Sequence, residues 1–426
     1  MKILYISPSA GDSYYCGNCF RDSLQATALI RAGHDVTVMP LYLPMQLSSE
    51  GVPVFFPAVS YYLEQALFRK GNMPAWLGRL TSSKGMLGLA SSLSGTTSSA
   101  GMEGMTMSMI TGEDGAFRRH MEEMVRWMRK DGLPDVIHLS SSLLIGIAGY
   151  LKAELGIPVV CSLQDEEVWI DGLKDAWAEA AWKAIEDAAV HVDAFVTTSR
   201  YYRDVVRSRL RGIEPRVIEP GVEIARYRDD VLPAEPTVGF FYRMNGLDGL
   251  DVLADAFVLL KRRGTVPGLK LRIGGGAIGP DRKLVSKVRA TLRPYAEDVL
   301  FEEHYSPAGH AAFYRKVTVL SVPLQFDEGV GLYVCEAFAA GRPVVEPRRG
   351  SFPEVVGNGG ILYEPFGPGP LADALERLLT DRAEYDARRQ AAMALARERY
   401  ASGRCASLLE ALYKEIILNN LTITQK

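Results

Sequence analysis

The feature that most constrains this chain is the stretch 317–347, where an apolar run, a glycine loop, a helix-forming segment and a second apolar run follow one another. VTVLSVPL (317–324) is short, apolar and partly β-branched, which predicts a buried strand. Residues 327–353 read DEGVGLYVCEAFAAGRPVVEPRRGSFP, and helix formers dominate from 332 to 340. Gly341 followed by Arg342-Pro343 supplies a helix stop, and Pro343-Val344-Val345 opens the next strand. Strand, glycine loop, helix, strand is one unit of a parallel sheet, so the expected class is α/β.

The same stretch carries two carboxylates, Glu328 and Glu336, with seven residues between them. Backbone N–H groups at a helix start are unpaired and carry partial positive charge. Gly329 and Gly331 let an anion approach them closely. Glu328 precedes the helix, and Glu336 lies about one turn inside it, where it could accept hydrogen bonds from a diol such as ribose. The plainer reading is an ordinary crossover with a solvated Glu at each end, and the residues alone leave both open.

A chain of 426 residues is too long for one ordinary core, so two domains are expected. Hydrophobic content of 47% and charged content of 23% are those of a globular protein. The net charge of −3 argues against a nucleic-acid partner. MKILYISPSAG reads as a first strand, its apolar run being too short for a signal peptide, and nowhere is there a run of about eighteen apolar residues. Five cysteines, an odd number, suggest reduced thiols and a cytoplasmic setting.

Residues 2–7 read as a central parallel strand, 20–32 as a helix ended by Gly33, and 36–40 as a second strand. The polar loop between them bears Gly17 and Asn18, at the strand end where open α/β sheets bind ligands. Cys16-Gly17-Asn18-Cys19 is a C-x-x-C: a redox pair, half a metal site, or simply two loop thiols. Residues 63–69 and 75–80 suit short helices. Residues 84–116 are rich in Gly, Ser, Thr and Met, and read as a flexible insertion, a lid, or a surface for an apolar acceptor. Phe117, Met121, Met124, Val125 and Met128 share one face of a helix over 117–130. His138 ends a strand, where it either packs or takes part in chemistry. Further helices are expected over 143–154, 282–296, 308–316, 382–400 and 407–417, with the last nine or so residues frayed.

The span 327–356 resembles the signature of the family 4 retaining glycosyltransferases of GT-B fold, in order, spacing and residue type. Ala339 to Val345 and Pro353 to Val356 match that family's Gly-x-Pro-Val-Val and Pro-Glu-Val-Val runs. Weaker likenesses extend over nearly the whole chain: Asp135-Val136-Ile137-His138, Gly156-Ile157-Pro158, residues 216–223, and Gly274-Gly275-Gly276. The resemblance implies two Rossmann-like doubly wound parallel-sheet domains facing a cleft. The acceptor-side domain would be 1–225, the donor domain 237–400, and 401–426 a helix packing back on the first. It implies that Glu328 holds donor-sugar hydroxyls, Glu336 the nucleotide ribose, and Arg243 and the backbone of Gly329, Val330, Gly331 and Leu332 the diphosphate. Gly17, Asn18 and His138 would lie on the substrate side. No metal is implied, since cations and helix amides do its work.

Three positions depart from the family pattern. Ser140 and Gln164 stand where histidines are usual, and Asp248 stands where a phosphate-binding Lys is usual. A carboxylate about 4 Å from a phosphate would cost on the order of several kcal/mol. Either Asp248 is aimed elsewhere, another cation such as Arg315, Lys316 or Arg348 takes over, or donor binding is weakened or lost. The expectation is thus an enzyme moving a sugar from a nucleotide sugar to a glycan, lipid-linked or small-molecule acceptor, cytoplasmic and at most peripheral to a membrane. The rival is a non-catalytic GT-B module binding a nucleotide sugar, a glycan or a partner enzyme. A sugar phosphorylase or epimerase has no supporting motif of its own.

Overall fold

In the computed structural model, apolar runs become parallel strands and the segments between them become helices. The structure describes residues 1–8, 15–41, 102–112, 115–229, 231–305 and 309–424. The expected helices at 63–69 and 75–80 lie outside these. By packing, the chain divides into two units: Met1–Gly11, Asp22–Ile218 and Cys405–Lys426 form one, and Asp12–Arg21 with Glu219–Arg404 form the other.

The first unit holds β1 (Lys2–Ser7), β2 (Asp35–Pro40), β3 (Val136–Leu139), β4 (Val159–Leu163), β5 (Ala194–Thr197) and β6 (Arg216–Val217). Their order is β2-β1-β3-β4-β5-β6, with every pairing parallel. β1, β3 and β4 are almost wholly buried, which is why they read as continuous apolar runs rather than alternating ones. The helix Gly115–Asp131 presses Met121, Met124, Val125 and Met128 into this core, as their spacing predicts.

Within the span read as a flexible insertion, residues 103–111 form a helix, Glu103–Thr111. It buries Thr106, Met109 and Ile110, and the Thr106 hydroxyl accepts a hydrogen bond from the Trp169 indole at 3.1 Å. Met109, one of the methionines that suggested an adaptable surface, is here a core residue. The final helix also departs from expectation, running from Ser402 to Thr424 rather than fraying after 417. Asn420 ties it down by donating to the Gly156 carbonyl at 2.8 Å.

The second unit holds β7 (Thr237–Phe241), β8 (Lys270–Gly274), β9 (Val299–Phe301), β10 (Val319–Leu320), β11 (Val344–Pro347) and β12 (Gly360–Tyr363), in the order β12-β11-β10-β7-β8-β9. From β7 the chain winds outward one way to β9, then returns to β10 and winds the other way. The reversal falls between β7 and β10, and it is outside the carboxyl ends of the strands at such a point that doubly wound sheets place ligands. β10 is shorter than the apolar run around it, because Pro323 offers no N–H to a ladder and Leu324 turns back onto the Val322 carbonyl at 2.8 Å. The helix Leu332–Ala339 that follows has all eight residues buried, and Gly341 stops it as expected.

Candidate functional site

The chain leaving β10 forms a tight loop ahead of the helix Leu332–Ala339. Gly331 sits at its start with φ +65°, and a Cβ there would lie 3.0 Å from the Phe352 ring. Gly350, at φ +52°, lets a second turn press on Glu328, where a Cβ would meet the Glu328 nitrogen at 2.7 Å. Both positions demand glycine. Gly329, Val330, Gly331 and Leu332 are all buried.

Glu328 is 4% exposed and folds onto its own loop. Its Oε1 accepts from the amides of Val330 at 3.4 Å and Gly331 at 3.2 Å, and its Oε2 from the Tyr242 hydroxyl, at the end of β7, at 3.3 Å. A carboxylate thus already lies against the helix-start amides that the sequence marks as an anion site.

Glu336 is not open to a ligand in this structure. It is fully buried, and both its oxygens are occupied. Oε1 accepts from the Tyr227 hydroxyl at 2.6 Å and lies 3.0 Å from His310 Nε2. Oε2 accepts from the hydroxyls of Tyr15 at 3.0 Å and Tyr314 at 2.7 Å. Burial alone would push its pKa up, but His310 and the Tyr227 and Tyr314 hydrogen bonds outweigh it and hold the carboxyl below its ordinary range. The cage therefore carries a buried charge, tolerable only because it is this fully partnered.

Arg243 grips Asp281 with a two-pronged contact, Nε to Oδ2 and Nη2 to Oδ1, each 3.0 Å. Asp248 lies beside them and is only 2% exposed. Its turn is fixed by the Asn245 side chain, which accepts the amides of Leu247 and Asp248, and by Gln325, which donates to the carbonyls of Gly246 and Leu247. Burial raises the Asp248 pKa well above its ordinary value; Arg243 opposes that and Asp281 adds to it. Asp248 is thus a buried side chain held in a fixed turn beside the Arg243–Asp281 pair, not a solvent-facing carboxylate. Of the substitute cations considered, Arg315 donates to the Arg226 carbonyl at 2.9 Å and Arg348 pairs with Glu364 at 3.1 Å, while Lys316 is exposed.

Against known proteins, residues 112–226 match the family model described as Glycosyltransferase Family 4 and residues 235–381 that described as Glycosyl transferases group 1, together more than half the chain. The chain belongs to the family 4 glycosyltransferases. Among relatives of this family, it is 30% identical over 224 residues to D-inositol 3-phosphate glycosyltransferase of Corynebacterium glutamicum, covering 48% of this chain and 52% of that protein. It is 29% identical over 281 residues to the protein of that name from Pseudarthrobacter chlorophenolicus, covering 61% and 66%. The chain thus spans about half the length of the curated relatives it matches. Among solved structures, sucrose-phosphate synthase from Thermosynechococcus elongatus superposes with TM-score 0.71 at 16% identity, covering 98% of this chain and 100% of that one. Anabaena HepE in complex with UDP and glucose gives 0.68 at 15%, covering 97% and 100%. These likenesses establish the GT-B fold.

Other sequence-marked residues of this family 4 chain fall elsewhere. Gly17 and Asn18 are half-buried in the first turn of the helix Gly17–Arg31. His138 is fully buried in β3 of the first unit, with Nδ1 2.5 Å from the Tyr413 hydroxyl and Nε2 2.8 Å from Ser162 Oγ. Ser140 and Gln164 join an acid cluster at the same sheet's carboxyl edge, Gln164 donating to the Ser140 carbonyl at 2.7 Å. There Glu166 accepts from Ser141 Oγ, the amides of Ser142 and Gln164, and the Tyr202 hydroxyl. Neighbouring Glu167 also meets Tyr202, at 2.6 Å, and burial with the charge of Asp165 pushes its pKa up to about 8.

Sequence reasoning missed the Glu336 cage, Asp281 and the Glu166 cluster. His310 and Tyr314 stand four apart on one helix, a spacing that could have paired them. Tyr15 and Tyr227 reach Glu336 across 321 and 109 residues of chain and leave no local signal.

Proposed function

We propose that the second unit binds a nucleotide sugar at the carboxyl ends of β7 and β10, and that this chain transfers the sugar, with retention, to an acceptor hydroxyl. The observation that carries this reading is Glu328 lying on the amides of Val330 and Gly331: the loop already holds an anion at the helix start. A donor diphosphate takes that place, and the displaced Glu328 turns to the sugar hydroxyls. Arg243 faces the diphosphate, and Glu336 meets the ribose when Tyr15 gives way. The solved structures of HepE with UDP and with UDP-glucose support the donor class, and the D-inositol 3-phosphate glycosyltransferases support the reaction class. The anomeric carbon–oxygen bond to the diphosphate breaks on the face where the acceptor oxygen bonds, and the leaving diphosphate takes the acceptor proton. The protein supplies position and electrostatic support, without a metal. The acceptor is a glycan, lipid-linked or small-molecule hydroxyl, and the setting cytoplasmic, with at most peripheral membrane contact.

One observation favours a second reading, a non-catalytic module: Arg243 is committed to Asp281, and Asp248 replaces a cation. A thermal-shift panel of UDP, GDP, ADP and their sugar conjugates separates the two. Ligand at about a hundred times its Kd adds roughly 2.7 kcal/mol, a shift of several degrees. A shift with one nucleotide, with slow hydrolysis of its sugar conjugate, supports the enzyme. A folded protein silent across the panel rejects the donor site.

A further inference from the structure

The C-x-x-C of the sequence has no part in the reading above. Cys16 and Cys19 are half-buried and not joined in a disulfide, whereas Cys161, Cys335 and Cys405 are buried. Their sulfurs lie 2.7 Å apart, well inside van der Waals separation and within about 1 Å of the ~2.05 Å of a disulfide bond. The pair spans the first turn of the helix Gly17–Arg31, where positions three apart share a face. The Cys19 amide, in the first turn of the helix, points at Cys16 Sγ, at 3.4 Å.

The residues around this pair wall the Glu336 cage. Tyr15 immediately precedes it; the Tyr15 amide donates to the Gly275 carbonyl at 2.6 Å and its hydroxyl to Glu336 at 3.0 Å. Phe20 follows it, its amide donating to the Cys16 carbonyl at 2.9 Å and its ring lying 4.5 Å from the His310 ring.

We propose that Cys16 and Cys19 are a dithiol oxidation site whose reversible disulfide fixes Tyr15 on Glu336. With a peroxide as oxidant, the Cys16 thiolate attacks the O–O bond and becomes a sulfenic acid. The Cys19 sulfur then attacks the Cys16 sulfur and expels the oxygen as water. Two thiols and one hydrogen peroxide give one disulfide and two waters, and a small dithiol reverses the step. The disulfide removes freedom from the turn that Tyr15 must leave to free Glu336. This consequence, though not the disulfide itself, rests on the donor site proposed above.

The test treats the full chain with hydrogen peroxide, then alkylates, digests and maps its peptides. Expected is a Cys16–Cys19 linkage, lost on treatment with dithiothreitol, with the other three cysteines still alkylated. Separate sulfinic acids at the two positions, or linkage only between chains, would overturn the site. Calorimetry with UDP then follows on reduced and oxidised protein, and on Cys16→Ser and Cys19→Ser treated alike. Expected is about tenfold weaker binding after oxidation of the wild type, and no change in either variant. Oxidised protein that is cross-linked but binds UDP undiminished overturns the coupling. Reduced protein that binds no nucleotide defeats the donor reading, while peptide mapping still decides the disulfide.

Discussion

Glu336 in the second unit and Glu166 in the first are both buried carboxylates with every oxygen engaged, but they are held in different ways. Glu166 is satisfied mostly by its own neighbourhood: two backbone amides and Ser141 come from the loops after β3 and β4, and only Tyr202 is more distant. Glu336 is satisfied by side chains alone: Tyr15, Tyr227, and the His310 and Tyr314 pair of one helix. A backbone clamp cannot let go without unfolding a loop. A cage of side chains can exchange one member for a ligand at the cost of a rotamer. The difference marks Glu166 as a fixture of the fold and Glu336 as a group whose partners can be exchanged one at a time.

The contrast can be broken by mutation, and the largest effect is expected at its centre. Glu336→Ala leaves His310 and three hydroxyls without their acceptor, and should lose about 3–5 kcal/mol in urea unfolding. A loss no greater than that of an exposed Glu→Ala would show the cage to be loose. Tyr202→Phe removes the hydroxyl shared by Glu166 and Glu167, and about 1–3 kcal/mol should follow in the same assay.

Glu167 sharpens the comparison through pH. Its folded pKa of about 8 stands above the ordinary 4.5, so between these values the native state binds more protons than the unfolded one. Stability should then fall as pH rises from about 4.5 to about 8, and Glu167→Gln should flatten that slope. The opposite sign holds for Glu336: its lowered pKa contributes stability that is present above the ordinary 4.5 and lost as pH falls through the folded value. The smallest effect is expected for Tyr15→Phe. It should cost about 1 kcal/mol or less, because three partners remain on Glu336, and UDP titration should show binding equal to or tighter than the wild type.

What was legible in the sequence was what adjacent residues decide. The β10–helix–β11 unit, the Gly341 stop and the methionine face of the helix Gly115–Asp131 follow from local periodicity and turn chemistry. The two acids of the signature could be found, but not their surroundings. Leu332–Ala339 is apolar around its whole girth, which already argued for burial of Glu336 with it rather than for a solvated acid. Asp248 shows a related limit: a sequence gives formal charge, and only the fold shows that burial, with Asp281 adding and Arg243 opposing, raises its pKa. The helix Glu103–Thr111 hid in a Gly- and Met-rich composition, because tertiary contacts such as Trp169 with Thr106 outweigh weak propensity.

The helix Ser402–Thr424 has a bearing on biosynthesis. Its residues from Cys405 onward belong to the first unit, where Tyr413 meets His138 and Glu415 clasps Arg216 across 199 residues of chain. A ribosome therefore finishes the whole six-stranded sheet long before the piece that caps it. Until then His138 Nδ1 and a stripe of core wait uncovered, and the nascent first unit must be shielded, or stay loose, while the second is made.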